Sequence, residues 1–234
     1  IVLGCAENKM AILNLGGFSL NPGYIGEIAK DALFGANFLF NRDGTSSPGE
    51  IDPNYVKFIE EANVSTLRYP GGTLAEERID LADPESLSAN YMNPDYKVGD
   101  PTVPLSSFLA LCEASNSSAT IVLPTYRFLK DAPDSSGHRA IDITEEANLR
   151  SYIKSALAAG TELGVSIAGF EIGNEWYVDN TEIFGFRMSP IEYGRVANYI
   201  AAIVQSEIDH YLMSGNYDQT EEPAIIIQVG PGED

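Results

Sequence analysis

Short, apolar, β-rich runs alternate along this chain with amphipathic stretches of helical spacing, and that alternation limits the folds open to it. Five runs read as buried strands: Ala32 to Phe40, Ser65 to Tyr69, Ala119 to Leu123, Ile167 to Gly173 and Ala224 to Val229. The first helix is opened by Asp52 as N-cap with Pro53 in its first turn, buries Val56, Ile59 and Ala62, and is closed by Asn63. The second is centred on Leu105, Phe108, Leu109, Leu111 and Cys112. The third starts near Thr144 and stops at Gly164, with Leu149, Ile153, Ala156, Leu157 and Leu163 as its apolar stripe. The capping box Ser189-Pro190-Ile191-Glu192 opens the fourth, whose buried face includes Val196, Ile200, Val204 and Ile208. Strand and helix thus alternate four times before a last strand, which predicts a parallel sheet covered by helices. Met10 to Leu15 reads as a further short strand, broken by Gly16-Gly17.

The connections are asymmetric. Helix-to-strand links are short, whereas the strand-to-helix links 71–103, 127–143 and 176–188 are long. A (β/α)8 barrel builds its site from such loops, and a doubly wound sheet also binds ligands at strand carboxyl ends. The asymmetry therefore locates the site without choosing the fold. No Gly-x-Gly-x-x-Gly and no Gly-Lys-Ser/Thr follows a strand, which argues against a nucleotide cofactor.

Charge narrows the partners. The 234 residues carry 14 Lys plus Arg against 34 Asp plus Glu, a formal net charge of −20. Nucleic acids and anionic membranes need a basic face, so neither is an expected partner. The balance suits a secreted or extracellular protein. No run is long enough to span a membrane. The acidic pairs Glu76-Glu77, Glu145-Glu146 and Glu221-Glu222 lack calcium-loop spacing and read as solvated surface. Cys5 and Cys112 have no partners at metal-ligand spacing, and no zinc or Ser-His-Asp set can be assembled. No metal or other cofactor is expected.

The chemistry concentrates in Gly169-Phe170-Glu171-Ile172-Gly173-Asn174-Glu175-Trp176-Tyr177. This strand ends in a polar pair followed by two large aromatics. A carboxylate at a strand's carboxyl end, beside flat apolar rings, is an arrangement that raises an acid's pKa for proton transfer. Taken alone, the pair also reads as an ordinary polar loop.

A second motif, Leu67-Arg68-Tyr69-Pro70-Gly71-Gly72-Thr73, ends the second strand. In this order and on these strands, the two motifs resemble the retaining glycoside hydrolases of clan A, in particular the α-L-arabinofuranosidase and heparanase-like branches. The resemblance covers roughly Ala32 to Asp234 and implies a (β/α)8 TIM-barrel fold of which about the first five strands and four helices are present. Residues 31–234 would then be the N-terminal part of the barrel, and residues 1–30 a segment pairing with an accessory β domain. It further implies Glu175 as general acid/base, Asn174 as hydrogen-bond partner of the sugar 2-hydroxyl, and Arg68 as a brace for carboxylates at the barrel mouth. Arg68 reads equally well as an ion pair that holds the sheet together. Trp176, Tyr177 and Tyr126 are candidates to stack on sugar rings, and equally to be core. Asn37, Asn41 and Gln228 lie near strand ends within reach of hydroxyls, while Tyr91, Asn93 and Tyr96 occupy the longest loop.

A retaining enzyme needs a second carboxylate about 5–5.5 Å from the first, which the resemblance places on a seventh strand. The remaining strands are therefore expected from the rest of a precursor or from a second chain. The expected partner is a carbohydrate, a plant, algal or host polysaccharide. Two alternatives stand beside this reading: a non-catalytic glycan-binding or scaffold protein on the same barrel, and another barrel enzyme using Glu175 as a base.

Overall fold

The computed structural model describes residues 14–15, 18–19, 35–38, 45–47, 50–86, 103–215 and 222–230. Five strands form a single parallel sheet: β1 (Gly35–Asn37), β2 (Thr66–Tyr69), β3 (Ser118–Leu123), β4 (Ile167–Ile172) and β5 (Ala224–Ile227). Four longer helices connect them in turn: α1 (Pro53–Glu61), α2 (Leu105–Ala114), α3 (Glu146–Leu163) and α4 (Pro190–Met213). Of the predicted strand over 32–40, residues 35–38 are among those described. Of the expected strand over 10–15, Asn14–Leu15 are among the described residues and pair antiparallel with Phe18–Ser19.

Strand order supplies what the connections alone do not. The neighbours run β5-β4-β3-β2-β1, so each strand adds beside its predecessor and the order never reverses. A doubly wound sheet has an interior first strand and a switch point; these five strands have neither. Right-handed crossovers in such an order carry every helix to the same face.

That face is the core. Leu67, Tyr69, Ile121, Leu123, Phe170 and Ile172 turn into one cluster with Phe108 and Leu109 of α2, Leu149 and Ile153 of α3, and Val196, Ile200 and Val204 of α4. Burying each large side chain contributes about 1.5–3 kcal/mol, and Cys112 is among those enclosed, as its apolar helix position implies. The helix ends follow their caps. Asp52 accepts from the Asn54 amide at 2.8 Å, and Gly164 ends α3 with φ +70°, a conformation that favours glycine. The capping box of α4 is closed in both directions, and Glu192 also accepts from the Arg139 amide at 2.8 Å. Burial pushes the Glu192 carboxyl up, but hydrogen bonds from Ser189 and Arg139 outweigh it and hold the group below its usual range.

The long connections contain structure of their own. The first holds a short helix, Leu74–Glu77, the second the hairpin Leu129–Pro133/Arg139–Ile141, and the third the short helix Thr181–Phe184. One expectation is overturned here. Glu76 and Glu77 are not solvated surface: both are buried, because the short helix folds back beneath the loops that follow β3 and β4.

The opposite face of the sheet carries Arg68, Thr120, Val122, Glu171 and Ile226 in neighbouring register. β5 forms one edge, and among the described residues nothing pairs with its outer side. Ile227 is 52% and Val229 90% exposed there. No described helix is long and apolar enough to cross a membrane.

Candidate active site

The carboxyl ends of all five strands lie along one rim, and a continuous polar network crosses it. Arg68, the third residue of β2, points away from the helices because its neighbours Leu67 and Tyr69 point into them. Glu171 alternates in the same way between Phe170 and Ile172 on β4. Arg68 Nε donates to Glu171 Oε2 at 2.5 Å and Nη2 to Glu171 Oε1 at 3.1 Å, a two-point ion pair spanning β3. The same Nη2 donates to Asn174 Oδ1 at 3.1 Å, and Nη1 to Asn37 Oδ1 at 3.1 Å. Gln228, just past β5, donates through Nε2 to Glu171 Oε1 at 2.7 Å and accepts the Glu175 amide at 2.7 Å. Asn37, Arg68, Asn174, Glu175 and Gln228, expected together at the strand ends, are therefore joined through Glu171.

The turn after β4 aims the polar pair. Gly173 has φ +81°, and a Cβ there would lie 2.9 Å from Thr125 Cγ2, so only glycine lets the chain turn against the β3 loop. Asn174 then faces inward, 4% exposed. Its oxygen is held by Arg68, while its Nδ2 is buried without a hydrogen-bond partner among the described residues. Glu175 follows with φ +46°. Asn63 and Asn116 share a positive φ, but asparagine tolerates it; a glutamate there stores about 1–3 kcal/mol of strain, which concentrates at functional sites. Its backbone is held at both ends, by Gln228 at the amide and by the Val178 amide donating to its carbonyl at 2.9 Å. The side chain is exposed. A carboxylate fixed through its backbone and exposed at its side chain is accessible to a ligand approaching along the rim.

Of the three rings that read equally as sugar platforms and as core, two are enclosed. Trp176 is 8% exposed, stacks on Tyr193 with centroids 4.6 Å apart, and donates from Nε1 to the Gln228 carbonyl at 3.3 Å. Tyr126 is 1% exposed and stacks on Phe184 at 4.2 Å; burial pushes its hydroxyl pKa up. Both rings belong to the core, and neither turns a face to solvent among the described residues. Tyr177 is half-buried, edge-on to Trp176 at 5.9 Å, and keeps an accessible part. Asn41, Tyr91, Asn93 and Tyr96 lie outside the described residues.

No protein-family model matches the chain, and no curated protein does. Solved structures similar to it include two of a xyloglucanase of glycoside hydrolase family 44 from Paenibacillus polymyxa. The one with xyloglucan matches with a TM-score of 0.43 and 13% identity, covering 76% of this chain and 39% of that one. The other matches with a TM-score of 0.40 and 14% identity, covering 74% and 41%. This chain thus spans less than half the length of those it resembles.

Three residues of the site carry no site role when the sequence is read alone. Glu171 sits inside the quoted motif, and its place between two apolar strand residues was the available signal that it needs a cation across the sheet. Tyr193 ties β4 to β5, donating to the Ile172 carbonyl at 3.0 Å and accepting the Gln228 amide at 2.9 Å; as one aromatic in a helix it gives no signal. Glu76 lies below Asn174 and accepts its amide at 3.2 Å. Its neighbour Glu77 makes the pair look like surface. Among the described residues no cluster of His, Cys, Asp or Glu is arranged to hold a metal ion.

Proposed function

We propose that this chain is the acid/base half of a retaining glycoside hydrolase, with Glu175 as general acid/base. The observation that supports this most is the joint placement of Arg68, Glu171, Asn174 and Gln228 around an exposed, backbone-strained Glu175 on a singly wound sheet. In the first half-reaction Glu175 protonates the leaving glycosidic oxygen as the nucleophile bonds to the anomeric carbon. In the second it takes a proton from the water that releases the sugar. Asn174, whose oxygen Arg68 holds and whose Nδ2 has no hydrogen-bond partner among the described residues, turns that Nδ2 to the sugar 2-hydroxyl on binding. Tyr177 lines the approach.

The nucleophile belongs to strands beyond the described five, supplied by the rest of a longer precursor or by a second chain that completes a (β/α)8 barrel against β5. The exposed Ile227 and Val229 are then interior to the completed protein. Residues 31–234 form the N-terminal part of that barrel, residues 1–30 pair with an accessory β domain, and the protein acts outside the cell on a polysaccharide.

The test is the stereochemistry of hydrolysis. The full-length protein is offered a panel of dinitrophenyl pentosides and hexosides, and the anomer first released is identified by proton NMR. Retention is expected. Inversion, or no release from any member, would overturn the proposal.

A further inference from the structure

Glu76, which the proposed mechanism does not use, lies in the middle of three loops. It stands on the short helix Leu74–Glu77, directly after the Gly71-Gly72 turn that ends β2, and it is completely buried. An isolated carboxylate in such a place is costly unless nearly every lone pair finds a donor. Here four donors converge on it. Oε2 accepts the Thr125 amide at 2.6 Å and the Tyr126 amide at 3.1 Å. Oε1 accepts the Thr125 hydroxyl at 2.8 Å and the Asn174 amide at 3.2 Å. The helix beneath is clamped in turn by Arg127, which donates from Nη2 to the Glu76 carbonyl at 3.1 Å and from Nη1 to the Ile79 carbonyl at 2.9 Å.

A requirement of packing alone would be met by an apolar side chain. A carboxylate is needed because it gathers amides from the loop after β3 and the loop after β4 onto a group carried by the loop after β2. The last of those amides belongs to the residue preceding Glu175. We infer that Glu76 is a positioning residue: its carboxylate sets the Asn174 peptide, and through it the direction in which Glu175 and the Asn174 side chain face the substrate. This rests on the reading of Glu175 as acid/base. Burial pushes the Glu76 carboxyl up, against the pull of hydrogen bonds from Thr125, Tyr126 and Asn174.

Glu76→Gln keeps the shape but replaces one acceptor oxygen by a donor, so the two donors that met on that oxygen lose their acceptor. The variant is made in the full-length protein, with Thr125→Val, which strips only the hydroxyl contact, as a second and milder change. Two readouts are taken. The first is the amide spectrum of isotope-labelled protein over a pH series. In the wild type, the amides of Thr125, Tyr126 and Asn174 are expected to shift together with one midpoint above the usual carboxylate range, and this common titration vanishes in Glu76→Gln. The second is kcat and KM on the best dinitrophenyl glycoside, per site counted by a mechanism-based inhibitor. The expected result is a kcat lowered about tenfold or more with KM changed less than twofold, since the loss falls on orientation in the transition state. Thr125→Val should move both readouts in the same direction by less.

An unchanged kcat per competent site, in whichever variant folds, would reduce Glu76 to a structural anchor and overturn the inference. Independent titration of the three amides would do the same. If the wild type cleaves no glycoside, the hydrolase reading fails by itself, and the amide titration still decides whether Glu76 governs the Asn174 peptide.

Discussion

Glu175→Gln in the full-length protein is expected to lower turnover of glycosides with poor leaving groups by about 10²–10⁴-fold, the range that positioned acid/base groups supply. Substrates with activated leaving groups should behave differently. A dinitrophenolate departs without a proton, so its first half-reaction survives while the second, which still needs a base, becomes slow. The signature is a rapid burst of phenolate followed by a suppressed steady state. Folding should be untouched, because the contacts that hold residue 175 run through its amide and carbonyl. An unchanged melting temperature therefore accompanies the lost activity. Survival of turnover on every cleavable glycoside would show the acid/base assignment to be wrong.

Arg68→Ala should be the most destabilising change at the rim. The Arg68 side chain is 19% and the Glu171 side chain 12% exposed, and removing the arginine leaves the Glu171 carboxylate enclosed with Gln228 as its one remaining donor among the described residues. Fully buried pairs lose about 3–5 kcal/mol in this way; partial exposure reduces the expectation to about 2–3 kcal/mol, measured by chemical denaturation. Arg68 also holds Asn174 and Asn37, so the loss spreads to three strands. Combining Arg68→Met with Glu171→Leu separates structure from function. Removing both charges should recover most of the stability, while activity stays low because Asn174 Oδ1 has lost its donor. Recovery of activity together with stability would make Arg68 a purely structural ion pair.

Local chemistry was well expressed in the sequence. Asp52-Pro53, Gly164 and Ser189-x-x-Glu192 mark helix ends through contacts made within a few residues, and the structure places the caps there. The polar rim was legible to the extent that alternation along a strand sets which side chains face away from the helices. Strand order was not, since loop length carries no record of which strand lies alongside. The hairpin within 127–143 was missed although Asp134-Ser135-Ser136-Gly137 is turn chemistry between Leu129 and Ile141. The burial of Glu76 was beyond reach: its partners stand 49 and 98 residues away. Trp176 and Tyr126 illustrate the same limit. An aromatic beside a candidate acid looks like a sugar platform until Tyr193 and Phe184 are seen covering their faces.

The central claim, that Glu175 works with a nucleophile carried elsewhere, is tested most directly by covalent trapping. Full-length protein is incubated with dinitrophenyl 2-deoxy-2-fluoro glycosides, and the labelled peptide is located by mass spectrometry. The account predicts one sugar per active site, attached to a carboxylate outside residues 1–234, in wild type and Glu175→Gln alike. A label on Glu175 itself would contradict it, as would the absence of any label with a glycoside that the wild type hydrolyses.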